Sequence, residues 1–143
     1  MRQSEDKQPL RRPQQERIDQ TVVLKTEKTV YDKPESSDGQ RILVMRLWPR
    51  GVSKEKAKID EWMKELGTEK DLIKKWKSGK VSWKEFEREY RKSLKGKEGI
   101  LKDLAERSQN GNVTLLCTDR DPAHCHRTIL ANEITKFWEG NQS

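Results

Sequence analysis

The chain has 143 residues, of which 38% are charged and 31% hydrophobic, with a formal net charge of +7; that is room for one domain and one core. Five Trp and regularly spaced apolar residues exclude a wholly disordered chain. No apolar run approaches the roughly 20 residues that span a bilayer, the N-terminus lacks a signal-peptide core, and two Cys cannot form a disulfide framework. The expectation is therefore a cytoplasmic, reduced protein without a membrane partner.

Residues 1–20 are polar and nearly devoid of apolar side chains, which predicts a flexible tail. The domain is expected over 21–139, with a short tail at 140–143. Thr21 to Thr26 is β-rich and predicts a first strand. Pro34, two Ser and Asp38-Gly39 mark a loop before a second strand from Arg41 to Leu47. Ser53 is placed to cap a helix in which Ile59, Trp62, Met63 and Leu66 recur at helical spacing up to Gly67. Thr68 opens a short helix with Leu72, Ile73 and Trp76 on one side. Ser82 and Glu85 form a capping-box pair ahead of the stripe Trp83, Phe86, Tyr90 and Leu94. Ile100, Leu101 and Leu104 mark a further helix. Residues 53–107 carry 17 basic and 12 acidic side chains, so most of the positive charge lies in these helices, diluted by carboxylates.

Val113 to Cys117 predicts a third strand, apolar enough to be covered on both faces. Asp121-Pro122 then reads as an N-cap and first helical residue, with Leu130, Ile134, Phe137 and Trp138 facing the core. The fold class is α/β: a small helix-rich domain with about three core strands in a largely parallel sheet covered by helices.

Both Cys and both His of the chain lie within Cys117–Arg127. Ligands in open α/β sheets favour the carboxyl ends of strands, and Arg120 and Arg127 add positive charge where a helix begins. Cys125, beside His124 and His126, has the surroundings of an activated thiol, with His124 or His126 as the proton shuttle. On a helical wheel, however, Cys125 turns away from Leu130 and Ile134 toward solvent. Cys117 reads as a small core residue at a strand end, within reach of the same crevice. Adjacent helical positions diverge by about 100°, so His124, Cys125 and His126 are not expected to converge on a metal ion. A phosphatase loop requires Arg six residues after the Cys, where this chain has Ala131, and a rhodanese-type loop requires Gly and Arg that are missing here.

A second dense stretch, Arg46-Leu47-Trp48-Pro49-Arg50-Gly51-Val52-Ser53, leaves a strand and enters a helix. Together with Ser37 to Met45, Asp60-Glu61-Trp62, Phe86 to Tyr90 and Val113 to Leu116, it resembles the signature of the YeaO-like family (domain of unknown function 488) over roughly residues 21–138. The resemblance implies a compact α/β domain and supplies no reaction. It also implies an Asp where this chain has Met45, and many members lack the Cys-His-Arg run. Cys125-His126-Arg127 is similar to the alkyl-acceptor tripeptide of the alkylguanine-DNA alkyltransferases, but no other motif of that family is present.

The expected site joins Arg46, Trp48, Arg50, Cys117, Arg120, His124 and Arg127 as ligand-binding groups around Cys125 and His126 as catalytic ones. Its expected partner is a phosphate- or carboxylate-bearing small molecule. The alternatives are a non-catalytic nucleic-acid binder, which is not favoured, and a redox-sensing thiol. No cofactor, metal or oligomeric state is indicated.

Overall fold

In the computed structural model, residues 24–142 are described, with side chains through Trp138; the expected tail at 1–20 and the start of the first strand lie outside them. Among the described residues there are four strands: β1 (Leu24–Lys25), β2 (Gln40–Leu43), β3 (Glu61–Trp62) and β4 (Val113–Leu116). They form one sheet in the order β1-β4-β2-β3, and every pairing is parallel. The two central strands are aligned with Gln40 opposite Val113 and Ile42 opposite Leu115. All four residues of β4 are buried, as its apolar sequence requires of a strand covered on both sides.

The two sheet faces differ. Ile42, Val44, Val113 and Leu115 pack in a large core with α3 (Trp83–Ser93), α4 (Glu98–Asn110) and α5 (His126–Gln142). Leu43 and Leu116 point the other way, into a small cluster with Val30, Ala57 and Ile59. That side is completed by a buried ion cluster. Asp38 lies 2.6 Å from Arg41 and 2.8 Å from Lys28, and Thr114 donates its hydroxyl to the Asp38 carbonyl. Asp38-Gly39 makes the turn into β2. Gly39 has φ 64°, and a Cβ there would fall 2.0 Å from the Asn112 carbonyl oxygen, so the turn requires glycine.

The capping-box reading holds in full: Ser82 and Glu85 exchange hydrogen bonds at the start of α3. The helix expected from Ser53 to Gly67 does not form as one element. Ser53 caps α1 (Lys54–Ala57), but Lys58 turns left-handed at φ 51° and ends it. Asp60 then bonds the backbone N–H of Arg41, and Glu61–Trp62 become the edge strand β3. Ile59, Met63 and Leu66 are buried all the same. The spacing of apolar residues was met by a strand and two short turns, in which Asp60 and Met63 donate their backbone N–H groups to the Arg41 and Leu43 carbonyls and so cover the edge of β2. The last helix continues to Gln142, past Trp138, the last residue expected to face the core.

Candidate functional site

A cavity of about 800 Å³ opens at the carboxyl ends of the two central strands. The chain leaving β2 supplies Met45, Arg46 and Leu47, and the chain leaving β4 supplies Cys117 to Arg120. α2 (Lys70–Lys77) contributes Lys70, Ile73, Lys74, Trp76 and Lys77. Thr68, Phe86, His124, Cys125 and His126 complete the wall. This is the position that open parallel sheets reserve for ligands.

The start of α5 departs from the expected single helix, and this decides the site. Asp121 does cap a turn with Pro122 at its first position, but the turn is a 3-10 segment ending at His124. Cys125 is extended, at φ −137° and ψ 145°, and α5 begins at His126. The helical wheel therefore does not apply to Cys125. The residue is 4% exposed and lines the cavity floor, contrary to the solvent-facing position expected. The divergence of adjacent helical side chains does not apply either.

Three groups meet on that floor. The ligand atoms of Cys117, Cys125 and His126 all lie within 4.8 Å of one another. His126 Nε2 faces the Val44 carbonyl, which only accepts, so Nε2 carries a proton and in the neutral imidazole Nδ1 holds the lone pair. That Nδ1 sits 3.7 Å from the Cys125 sulfur. The Tyr90 ring packs edge-on against His126, and its hydroxyl is held by the Leu66 carbonyl.

The two thiols are polarised in opposite senses. A hydrogen bond from Cys117, the backbone N–H of Arg127 and its guanidinium outweigh burial and bring Cys125 down to about 7. The same hydrogen bond, together with burial, pushes the Cys117 thiol up. Arg127 stands behind this pair. Its side chain is fully buried and donates to the Thr26 carbonyl at 2.6 Å and to the Cys125 sulfur at 3.0 Å, while Nη2 has no partner. Among the described residues no carboxylate pairs with it, so Cys125 is the ionisable acid it contacts.

The expected site residues separate into two groups. Arg46, Cys117, Arg120, His124, Cys125 and His126 come together on the cavity wall. Arg127 lies beneath it, holding Cys125 rather than facing the opening. Trp48 and Arg50 are not part of it: Trp48 donates to the Val52 carbonyl, packs edge-on against Trp62 and joins the small core, and Arg50 is exposed. Arg46 is held by the Gly67 carbonyl at 3.1 Å and pairs with Glu69 at 3.4 Å. Arg120 lies over the Tyr31 ring, and His124 bonds Asp121 and stacks on Trp76.

Sequence reasoning missed the α2 wall and Thr68. Lys70, Lys74 and Lys77 follow a helical i, i+4, i+7 spacing that marks one stripe, which was the available signal. The Thr68 hydroxyl is buried and has no hydrogen-bond partner, and nothing local in the sequence announces it.

Gly67 fixes this geometry by close approach. Its φ of −77° suits any residue, but a Cβ would lie 2.3 Å from the Arg46 backbone nitrogen and 2.7 Å from the Met45 carbonyl carbon. Gly67→Ala is expected to force the Met45–Arg46 backbone outward and cost about 1–3 kcal/mol. Thermal unfolding checks it: a melting temperature equal to the parent's would contradict this packing.

A family model described as "Inactive DUF488-N3 subclade" matches residues 25–143. The "Uncharacterized protein YeaO" of Escherichia coli (strain K12) is 38% identical over 105 residues, covering 73% of this chain and 91% of that protein. The "Uncharacterized protein Rv3073c" of Mycobacterium tuberculosis (strain ATCC 25618 / H37Rv) is 29% identical over 102 residues, covering 71% and 86%. No solved structure matches the chain with significance. Among the described residues, no helix is long and apolar enough to cross a membrane.

Proposed function

We propose, from the premise that this chain belongs to the DUF488-N3i family, the inactive DUF488-N3 subclade, that it binds a small anionic molecule in the cavity at its strand ends. The observation that carries this reading is the charge of the wall: Arg46, Lys70, Lys74, Lys77 and Arg120 face one carboxylate, Asp119. None of the three lysines forms an ion pair among the described residues. A phosphate or carboxylate is the group such a wall attracts. Trp76 and Phe86 add an apolar surface suited to a flat moiety beside the anion. The unpartnered Thr68 hydroxyl supports the same reading, since a buried polar group without a partner is costly and a ligand would supply one.

The subclade's description as inactive favours binding over turnover. On the helical surface several cations are engaged with carboxylates, Arg91 and Lys136 with Glu133, Lys92 with Glu89, and Arg107 with Glu61 and Asp103, which supports a small molecule over a nucleic-acid stripe.

Calorimetric titration with adenosine 5′-monophosphate as probe, and adenosine as its neutral control, tests the reading. Binding of the monophosphate, weakened by salt and by Lys74→Glu, is expected; equal binding of both probes would sink it. Thr68→Val gives a sharper outcome. Removing the unpartnered hydroxyl is expected to stabilise the free protein by about 1 kcal/mol while weakening the probe up to about tenfold. A variant that is less stable and binds unchanged would show that the hydroxyl is not waiting for a ligand.

A further inference from the structure

We infer that Cys117, Cys125 and His126 form a three-ligand site for a thiophilic divalent ion of the zinc class, with its fourth coordination position open to the cavity. Two sulfurs and an imidazole are the donor set zinc prefers, and three protein ligands with one open position is a recognised arrangement for it. The spacing fits: bonds of about 2.3 Å to sulfur and 2.0–2.1 Å to nitrogen at tetrahedral angles put sulfur and nitrogen about 3.6 Å apart. Cys125 Sγ and His126 Nδ1 are 3.7 Å apart, and all three ligand atoms lie within 4.8 Å.

The surroundings are those of ligands held ready. The Val44 carbonyl takes the Nε2 proton and so aims the Nδ1 lone pair at the sulfurs, as a partner on the far ring nitrogen does for metal-bound histidines. The Arg127 guanidinium donates to the Cys125 sulfur at 3.0 Å. Such a donor stabilises a thiolate, the form that binds a metal. The ligands also sit on anchored backbone: Val30 bonds the Cys117 carbonyl at 2.9 Å, and His126 is the first residue of α5.

Charge then specifies the fourth ligand. Two thiolates neutralise a divalent ion and leave the buried Arg127 guanidinium uncompensated. An anion in the open position, hydroxide or the acidic group of a cavity ligand, restores neutrality. The ion site itself does not depend on the anion reading of the cavity above it.

The test is a titration of the reduced, metal-free full-length chain with Co²⁺, whose thiolate complexes absorb in the near ultraviolet and whose tetrahedral sites absorb in the visible. One equivalent, displaced by Zn²⁺, is expected. Cys117→Ser and Cys125→Ser should each weaken it by more than the 10–100-fold typical of losing an outer-shell partner, whereas Arg50→Ala, at an exposed position outside the cavity, should retain both bands. Absence of the thiolate band in the parent chain overturns the proposal whatever the variants do. So does a stoichiometric band that survives the double cysteine replacement. Loss of monophosphate binding with cobalt binding intact would count against the anion reading alone.

Discussion

Asp38→Asn is expected to cost the fold about 3–5 kcal/mol, the range for removing one member of a buried ion pair. That is a large part of the stability of an ordinary domain. Asp38 accepts from Arg41 at 2.6 Å, from Lys28 at 2.8 Å and from the Glu35 backbone at 3.0 Å. Arg41 is itself buried and already has one unpartnered guanidinium nitrogen, so an amide at position 38 would leave its charge uncompensated beneath the sheet. Burial pushes the Asp38 carboxyl up, but its bonds to Lys28, the Glu35 backbone and Arg41 prevail and hold it below the ordinary carboxylate range. A depressed folded value means that this stability is present above the unfolded value near 3.9 and is lost as pH falls through the folded one. In urea unfolding, the gap between parent and variant should thus be wide at neutral pH and close in acid. A gap below about 1 kcal/mol at neutral pH would contradict the cluster's role.

Arg127→Met is the second large effect, at about 2–4 kcal/mol, because it strips a partly buried carbonyl, Thr26, and a buried sulfur, Cys125, of a charged donor. The more telling result is the coupling. If Cys125 is the guanidinium's counter-group, Arg127→Met and Cys125→Ala should be strongly non-additive, and the double-mutant cycle should return an interaction above about 1 kcal/mol. Additivity within about 0.5 kcal/mol would mean that the two side chains are merely neighbours.

The central strands, the Ser82 capping box, the helical stripes and the Asp38-Gly39 turn were legible because local chemistry and tertiary packing agree there. The stretch 58–66 was misread because its apolar spacing suits two outcomes, and the choice was made by Arg41, nineteen residues earlier, whose backbone bonds Asp60. The strand-to-helix junction was legible as a candidate site, and the meeting of Arg46 with Cys125 and His126 on one cavity wall follows from parallel strands ending at one edge. Cys125 was misdirected by one residue of extended backbone between a 3-10 turn and α5, a detail below the resolution of a periodicity argument. Arg127 was read as positive charge at the helix start for binding a ligand; its burial is tied to the Thr26 carbonyl, about a hundred residues distant in the chain.

The account stands or falls on where a small anion binds. The direct measurement is an amide-resolved NMR titration of the full chain with adenosine 5′-monophosphate. The account predicts saturable shifts at Thr68, Asp119, Arg120, Cys125 and along α2. Shifts confined to α3 and the turn after it, around Lys84, Arg88 and Lys95, would contradict it.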